Sequence, residues 1–304
     1  MTSPHPPRRS RAARLAASIT ATAAALLLFA VPRASAQATK HIFYRVAGPN
    51  GATVYLLGSV HLLPAEAATL PPAVDSAFTR AKAIVFETSL DSLETRAGEL
   101  LARAQYGGDT TLRTALSPAA VPKAEAILAS YGASLEKVAH FKPWFVSLAL
   151  QQAVAQSARF EAQYGVDAQL NSRAKAAGKP RLSLETVSFQ LGLFDRMTPA
   201  QQESELLATK SPAEALRELL TMEELWLSGN AAGLDSLTHA GETSATAAIT
   251  GAVLASRNQT WLPKVVGWVE GRDDMLVVVG AGHLVGAQGL VELLRAKGFK
   301  VEQL

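Results

Sequence analysis

Two segments far apart in the chain share one layout. Val54–Gly58 is followed by Ser59, Val60 and His61, and Met275–Gly280 by Ala281, Gly282 and His283. Each is an apolar run closed by Gly-x-x-His. A short apolar run that ends on glycine reads as a strand buried in a sheet, and buried strands need helices packed over them. A histidine just past the C-terminal end of such a strand stands where open α/β sheets place their ligands.

Further strands are expected at His41–Ala47, Ala83–Glu87, Arg181–Glu185 and Lys300–Leu304, besides Thr53–Leu57 and Met275–Gly280. Between them the spacing predicts helices from Pro72 to about Lys82, and over 91–106, 119–131 and 143–157. Two more run from Asp167 to Gly178 and from Pro212 to Ser228, each stopped by a glycine. Strands separated by helices predict an α/β fold: a mixed or parallel sheet with flanking helices and a helical insertion in the middle of the chain.

The first 36 residues read as a secretory signal peptide. Arg8, Arg9, Arg11 and Arg14 form its basic start, Leu15–Val31 its apolar stretch, and Ala34-Ser35-Ala36 a small-residue cleavage site. The apolar stretch is short and diluted by alanine, which disfavours a retained membrane anchor. Arg8-Arg9 lacks the wider pattern of twin-arginine export. The expected product is residues 37–304, one periplasmic or secreted domain without a membrane anchor.

The leader carries five arginines and no acid, so its removal turns a formal charge of +3 into −2. No basic stripe interleaved with aromatics follows, so no nucleic-acid partner is expected. The chain has no cysteine. That excludes disulfides, a thiolate nucleophile, and Cys-ligated zinc or iron–sulfur sites.

The strand ends carry the candidate chemistry. Glu87 closes Ala83–Glu87 and Glu185 closes Arg181–Glu185, so parallel strands would bring two carboxylates and two imidazoles to one sheet edge. Gly58 and Gly280 are expected to turn the backbone there through positive φ. Two histidines and a carboxylate are a common ligand set for a divalent transition metal with open positions, which makes bound water nucleophilic near neutral pH. The local H-E-x-x-H helix of zincins is absent, so such a site would be assembled from distant segments.

Plainer readings compete. A histidine at a sheet edge is often only hydrogen-bonded structure, and Glu87 and Glu185 could be structural salt bridges. His5, His41, His140 and His239 lack a comparable context. Gly280-Ala-Gly282-His-Leu-Val-Gly286 superficially resembles a dinucleotide-binding turn, but the sequence stops at Leu304, leaving no room for the βαβ continuation. The aromatic cluster Phe141-Lys-Pro-Trp144-Phe145 reads as core, with the lining of a peptide groove as the alternative.

The order of these pieces resembles the TraB/GumN family: Leu-Leu-Gly58-Ser-Val-His61, Val-Phe-Glu87-Thr, Gly165-Val-Asp167 before a helix ending Ala-Gly178-Lys-Pro, Leu-Glu185-Thr with Gln190, Arg257-Asn258, and Val-Gly280-Ala-Gly-His283-Leu-Val-Gly286. The resemblance spans about residues 40–304. That family is similar to the Tiki proteases, membrane-tethered metalloproteases, and more remotely to the erythromycin-esterase and ChaN-like folds.

The resemblance implies that His61 and His283 fill two Gly-x-x-His signatures needed for metal-dependent activity, with Glu87 as ligand or general base. A metal-dependent hydrolase cutting peptide bonds is the resulting expectation. His61, Glu87 and His283 would hold Mn²⁺, Co²⁺ or Zn²⁺; Glu87 or Glu185 would take a proton and Arg257 would steady an oxyanion. Arg257 could equally be a structural salt bridge, while Asn258 and Gln190 would orient their neighbours. The alternatives are a non-catalytic binder of peptides or a tetrapyrrole, and an esterase using His61 as a base without metal.

Overall fold

The computed structural model describes residues 40–304 apart from Gly241 and Thr243. The expected signal peptide lies outside the described residues. Six strands form one mixed sheet: β1 (Phe43–Ala47), β2 (Thr53–Ser59), β3 (Ala83–Phe86), β4 (Arg181–Ser183), β5 (Met275–Gly280) and β6 (Val301–Gln303), in the order β4-β3-β5-β2-β1-β6. The pairs β4–β3, β3–β5 and β5–β2 are parallel, whereas β1 is antiparallel to both β2 and β6. The chain is therefore α/β, with a parallel centre and an antiparallel flank.

The apolar runs make this centre. Leu276, Val277, Val278 and Val279 in β5 and Leu56 in β2 are fully buried. Burial of each such side chain is worth roughly 1.5–3 kcal/mol relative to exposure. A strand buried on both faces belongs inside a sheet, and β5 lies between β3 and β2 although it is made almost 190 residues after β3. The β2-to-β3 connection thus skips a place that the C-terminal part of the chain fills. Crevices at the carboxyl ends of strands around such a topological break are where α/β proteins bind ligands.

The register delivers the two histidine signatures to that crevice side by side. Leu57 pairs with Val278, Gly58 with Val279 and Ser59 with Gly280. On the other flank Phe86 pairs with Val278 and Ser183. Glu87 and Glu185 follow within two residues, joined by a bond from the Glu185 N–H to the Glu87 carbonyl at 2.9 Å.

Most predicted helices form as spaced: Pro72–Arg80, Val121–Ser130, Pro143–Ser157, Val166–Ala176 and Pro212–Leu227. Gly178 (φ 62°) and Gly229 (φ 65°) are left-handed just beyond the last two, which fits their role as stops. The span 91–106 divides into Leu90–Thr95 and Ala97–Ala104, with Arg96 between them. The helical middle has its own core of Leu112, Leu128, Leu150 and Leu206, separate from the core around the sheet. Trp226 ties the later helices to the sheet by donating its Nε1–H to the Gly58 carbonyl at 2.8 Å.

Positive φ at Gly58 and Gly280 is not found: neither is left-handed, and Gly58 lies within β2. Close approach requires glycine at Gly58, and at Gly280 it leaves a Cβ only a tight contact. A Cβ on Gly58 would stand 2.3 Å from Ile42 Cγ2, and one on Gly280 would stand 3.2 Å from the Glu87 carboxylate.

Candidate functional site

Arg257 organises the polar cluster at the sheet edge. It lies on the helix Ser256–Val269, directly after the π-helical turn Gly251–Ala255. Such turns are rare and recur at functional sites. Arg257 Nη2 donates to Glu87 Oε2 at 2.5 Å and to Glu185 Oε1 at 2.6 Å, and Nε reaches both Glu185 oxygens. Nη1 donates to the Val253 carbonyl at 3.1 Å and approaches His283 Nε2 at 3.0 Å. All five guanidinium N–H groups are thereby used.

The carboxylates are equally committed. Glu87 Oε1 accepts from the Gly280 N–H at 2.7 Å, and Glu87 Oε2 from Gln190 Nε2 at 3.2 Å as well as from Arg257. Glu185 Oε2 accepts from Trp261 Nε1 at 3.0 Å. Burial alone would raise the Glu87 pKa, but His283, Arg257 and His61 and the Gly280 N–H together hold it down to about 2. Arg257, always charged, and the backbone N–H sustain this when His283 is neutral.

His283 is almost wholly buried against the Trp261 ring. Its Nδ1 lies 2.7 Å from Asn258 Oδ1, an oxygen that can only accept, so Nδ1 carries the proton and Nε2 offers its lone pair. Burial, aided by the nearby Arg257 charge against the pull of Glu87, lowers its pKa to about 4. Asn258 is itself fixed by donating to the carbonyls of His283 and Gln288.

His61 differs in environment. Its side chain is 69% exposed, and Nδ1 sits 2.8 Å from Asp167 Oδ2. Asp167, on the first turn of the helix Val166–Ala176, also accepts from Ser59 Oγ at 2.9 Å. Its carboxylate raises the His61 pKa to about 9. Nε2 of His61 has no partner among the described residues and faces solvent.

The structure thus gathers Glu87, Glu185, Arg257 and His283 into one bonded cluster, with His61 beside it on Asp167. Gln190 and Asn258 sit where orienting groups belong, one on Glu87 and one on His283. Asp167 as the anchor of His61 was missed. Its signal was an acid in the first turn of a helix entered through Gly165.

For a divalent ion the donor chemistry fits. Each histidine has its Nδ1 fixed on a side-chain oxygen, as metal-ligating histidines do, and Glu87 is an ionised carboxylate; the Nε2 of His61 is without a partner among the described residues, whereas that of His283 meets Arg257 Nη1. Thr88, the next residue, buries a hydroxyl with no partner among the described residues. The arrangement itself is not closed: among the described residues no three His, Asp or Glu side chains are gathered around one point, and Arg257 engages both Glu87 and His283 Nε2.

Fold and site define an α/β protein with a histidine–carboxylate–arginine cluster at the carboxyl edge of its parallel strands. The chain belongs to the TraB/PrgY/gumN family, whose model matches residues 42–303. It is similar to the uncharacterized protein YbaP of Escherichia coli (strain K12), at 24% identity over 250 residues covering 81% of this chain and 89% of that protein. An uncharacterized protein of Treponema pallidum (strain Nichols) is 21% identical over 272 residues, 85% of this chain and 81% of its own. No solved structure matches the chain.

Proposed function

We propose that this chain is a metal-dependent hydrolase of the periplasm or cell exterior, attacking acyl carbons with water and acting on peptides. The observation that supports it is the matched anchoring of two imidazoles. His61 and His283 come from adjacent parallel strands, and each has its Nδ1 on a side-chain oxygen and its Nε2 turned away from that anchor.

His61, Glu87 and His283 would hold the ion, which would supply Lewis acidity toward the carbonyl and lower the pKa of bound water. The rest is done by the chain. Asp167 and Asn258 fix the imidazoles, and Gln190 and the Gly280 N–H fix Glu87. Glu185 has both oxygens occupied, so its part is to hold Arg257 rather than to take a proton. Arg257 spends all its donors on the protein and acts on developing negative charge through its field in a water-poor cluster.

A second reading, metal-free acyl hydrolysis with His61 as the proton-transferring group, is favoured by one observation. His61–Asp167 pairs an exposed imidazole with a carboxylate that orients it; with its pKa raised to about 9 the imidazole is a proton donor near neutral pH and a base above that. Turnover of a peptide library, with and without a chelator, separates the two. Chelator-sensitive cleavage that disappears in Glu87→Gln supports the metal enzyme. Chelator-resistant cleavage that disappears in His61→Ala supports the metal-free one, and absence of cleavage under all metals removes both.

A further inference from the structure

A hollow of about 410 Å³ opens beside the cluster, between the helices Pro143–Ser157, Val187–Asp195, Pro199–Leu207 and Ser244–Thr250 and the π-helical turn. Trp144, Leu148, Leu193, Phe194, Ile249 and Val253 form its apolar walls. Trp144 stacks on Phe194 at 4.4 Å, which makes one wall flat and rigid. Leu148 is 43% exposed although it faces an apolar space. Volume and lining match those of small-ligand pockets, which combine apolar walls with a few polar groups.

Glu205 is the acidic side chain lining this space. It also lines a second hollow, on the side of Tyr131 and Lys210, so it stands where the two meet. Among the described residues Glu205 makes no hydrogen bond and no ion pair. The nearby cations are engaged elsewhere: Arg196 lies 5.0 Å above the Phe189 ring and Lys210 pairs with Glu218. Burial without a compensating charge raises the Glu205 pKa. A half-buried carboxylate left this way is unfavourable for the protein alone. On the same wall the Trp144 Nε1–H is buried with no acceptor among the described residues.

The hollow shares a wall with the candidate site. The Val253 carbonyl holds Arg257, and a Cβ placed on Gly282, next to His283, would stand 3.6 Å from Leu254 Cδ1. A chain lying across the sheet edge could therefore place one side group in the hollow.

We propose that this hollow takes a substrate side group with an aliphatic stem and a cationic tip, as in lysine or arginine, with the stem against Trp144 and Phe194 and the tip on Glu205. That the group belongs to a substrate rests on the hydrolase reading; the binding itself does not.

The test is calorimetric titration of the protein with hexylamine and with hexanol, which share a stem and differ in the charged tip. The charge-assisted contact should make hexylamine bind about ten-fold more tightly. Glu205→Gln should erase that preference, leave hexanol binding unchanged, and raise the melting temperature because an unpaired carboxylate is removed. Equal affinity in the parent, or a preference that survives in Glu205→Gln, overturns the proposal. Paired peptides carrying lysine or norleucine then separate the two readings. Faster cleavage of the lysine peptide makes the hollow a specificity pocket, whereas hexylamine preference without turnover of either peptide leaves the pocket standing and removes the hydrolase.

Discussion

Gly165 presses on the backbone of His61 so closely that a Cβ there would stand 2.1 Å from the His61 carbonyl oxygen. That contact lets the helix Val166–Ala176 start directly against the end of β2. The Val166 N–H donates to the Val60 carbonyl at 3.0 Å, and Asp167 comes under the imidazole. Gly165→Ala should push the helix away and cost about 1–3 kcal/mol, as overpacking does. It should also loosen the His61–Asp167 pair. Urea unfolding and the His61 titration both read this out; a variant with unchanged stability and titration would show that the approach is not required.

Asp167→Asn should return the His61 pKa from about 9 toward its ordinary 6.5. Proton resonances of the ring in metal-free protein give the value directly. The sign of the stability effect follows. A folded pKa above the unfolded one contributes stability that is complete below pH 6.5 and is lost as the pH rises through about 9. The parent should therefore lose stability across that interval, and Asp167→Asn should not.

On the acid side two windows are expected. His283 has a folded pKa lowered to about 4, so its contribution is complete above pH 6.5 and disappears as the pH falls from there to about 4. Glu87, lowered from 4.5 to about 2, contributes above pH 4.5 and loses that contribution as the pH falls through about 2. Urea midpoints measured from pH 7 to pH 2 should fall in both intervals. His283→Gln should remove the upper one and narrow the lower one, because the His283 charge is among those that hold the Glu87 pKa down.

Arg257→Leu should destabilise the protein by about 3–5 kcal/mol, because it strands two nearly buried carboxylates. Arg257→Lys keeps the charge but not the fork that serves Glu87, Glu185 and His283 at once, so it should recover only part of the loss. If Arg257→Leu were as stable as the parent, the cluster would not depend on its cation.

Much of this was readable before any coordinates. The apolar runs of β2, β3 and β5 marked buried strands because only a sheet interior accepts Val277, Val278 and Val279 in succession. The glycine ends of β2 and β5 marked the edge that carries the candidate site. The reason for those glycines differs from the expectation: a sequence shows a glycine but not the side chain that crowds a Cβ, here Ile42, which excludes one at Gly58, and Glu87, which leaves it a tight contact at Gly280. The β5 insertion between β2 and β3 was not readable, since strand order depends on which distant segment completes the sheet. Asp167 and Glu205 were missed for a related reason. Whether a carboxylate on a helix meets a histidine, a cation or nothing is decided by packing between segments; for Asp167 the sequence shows an acid in the first turn of a helix entered through Gly165 but not its partner.

Metal stoichiometry by plasma mass spectrometry tests the central proposal most directly, on residues 37–304 refilled with Mn²⁺, Co²⁺ or Zn²⁺ beside the variant carrying both His61→Ala and His283→Ala. About one ion per chain in the parent and none in the variant is the expected result, given one site built from both histidines. No bound ion in the parent, or equal binding in the two proteins, would contradict a metal centre at the edge of β2 and β5.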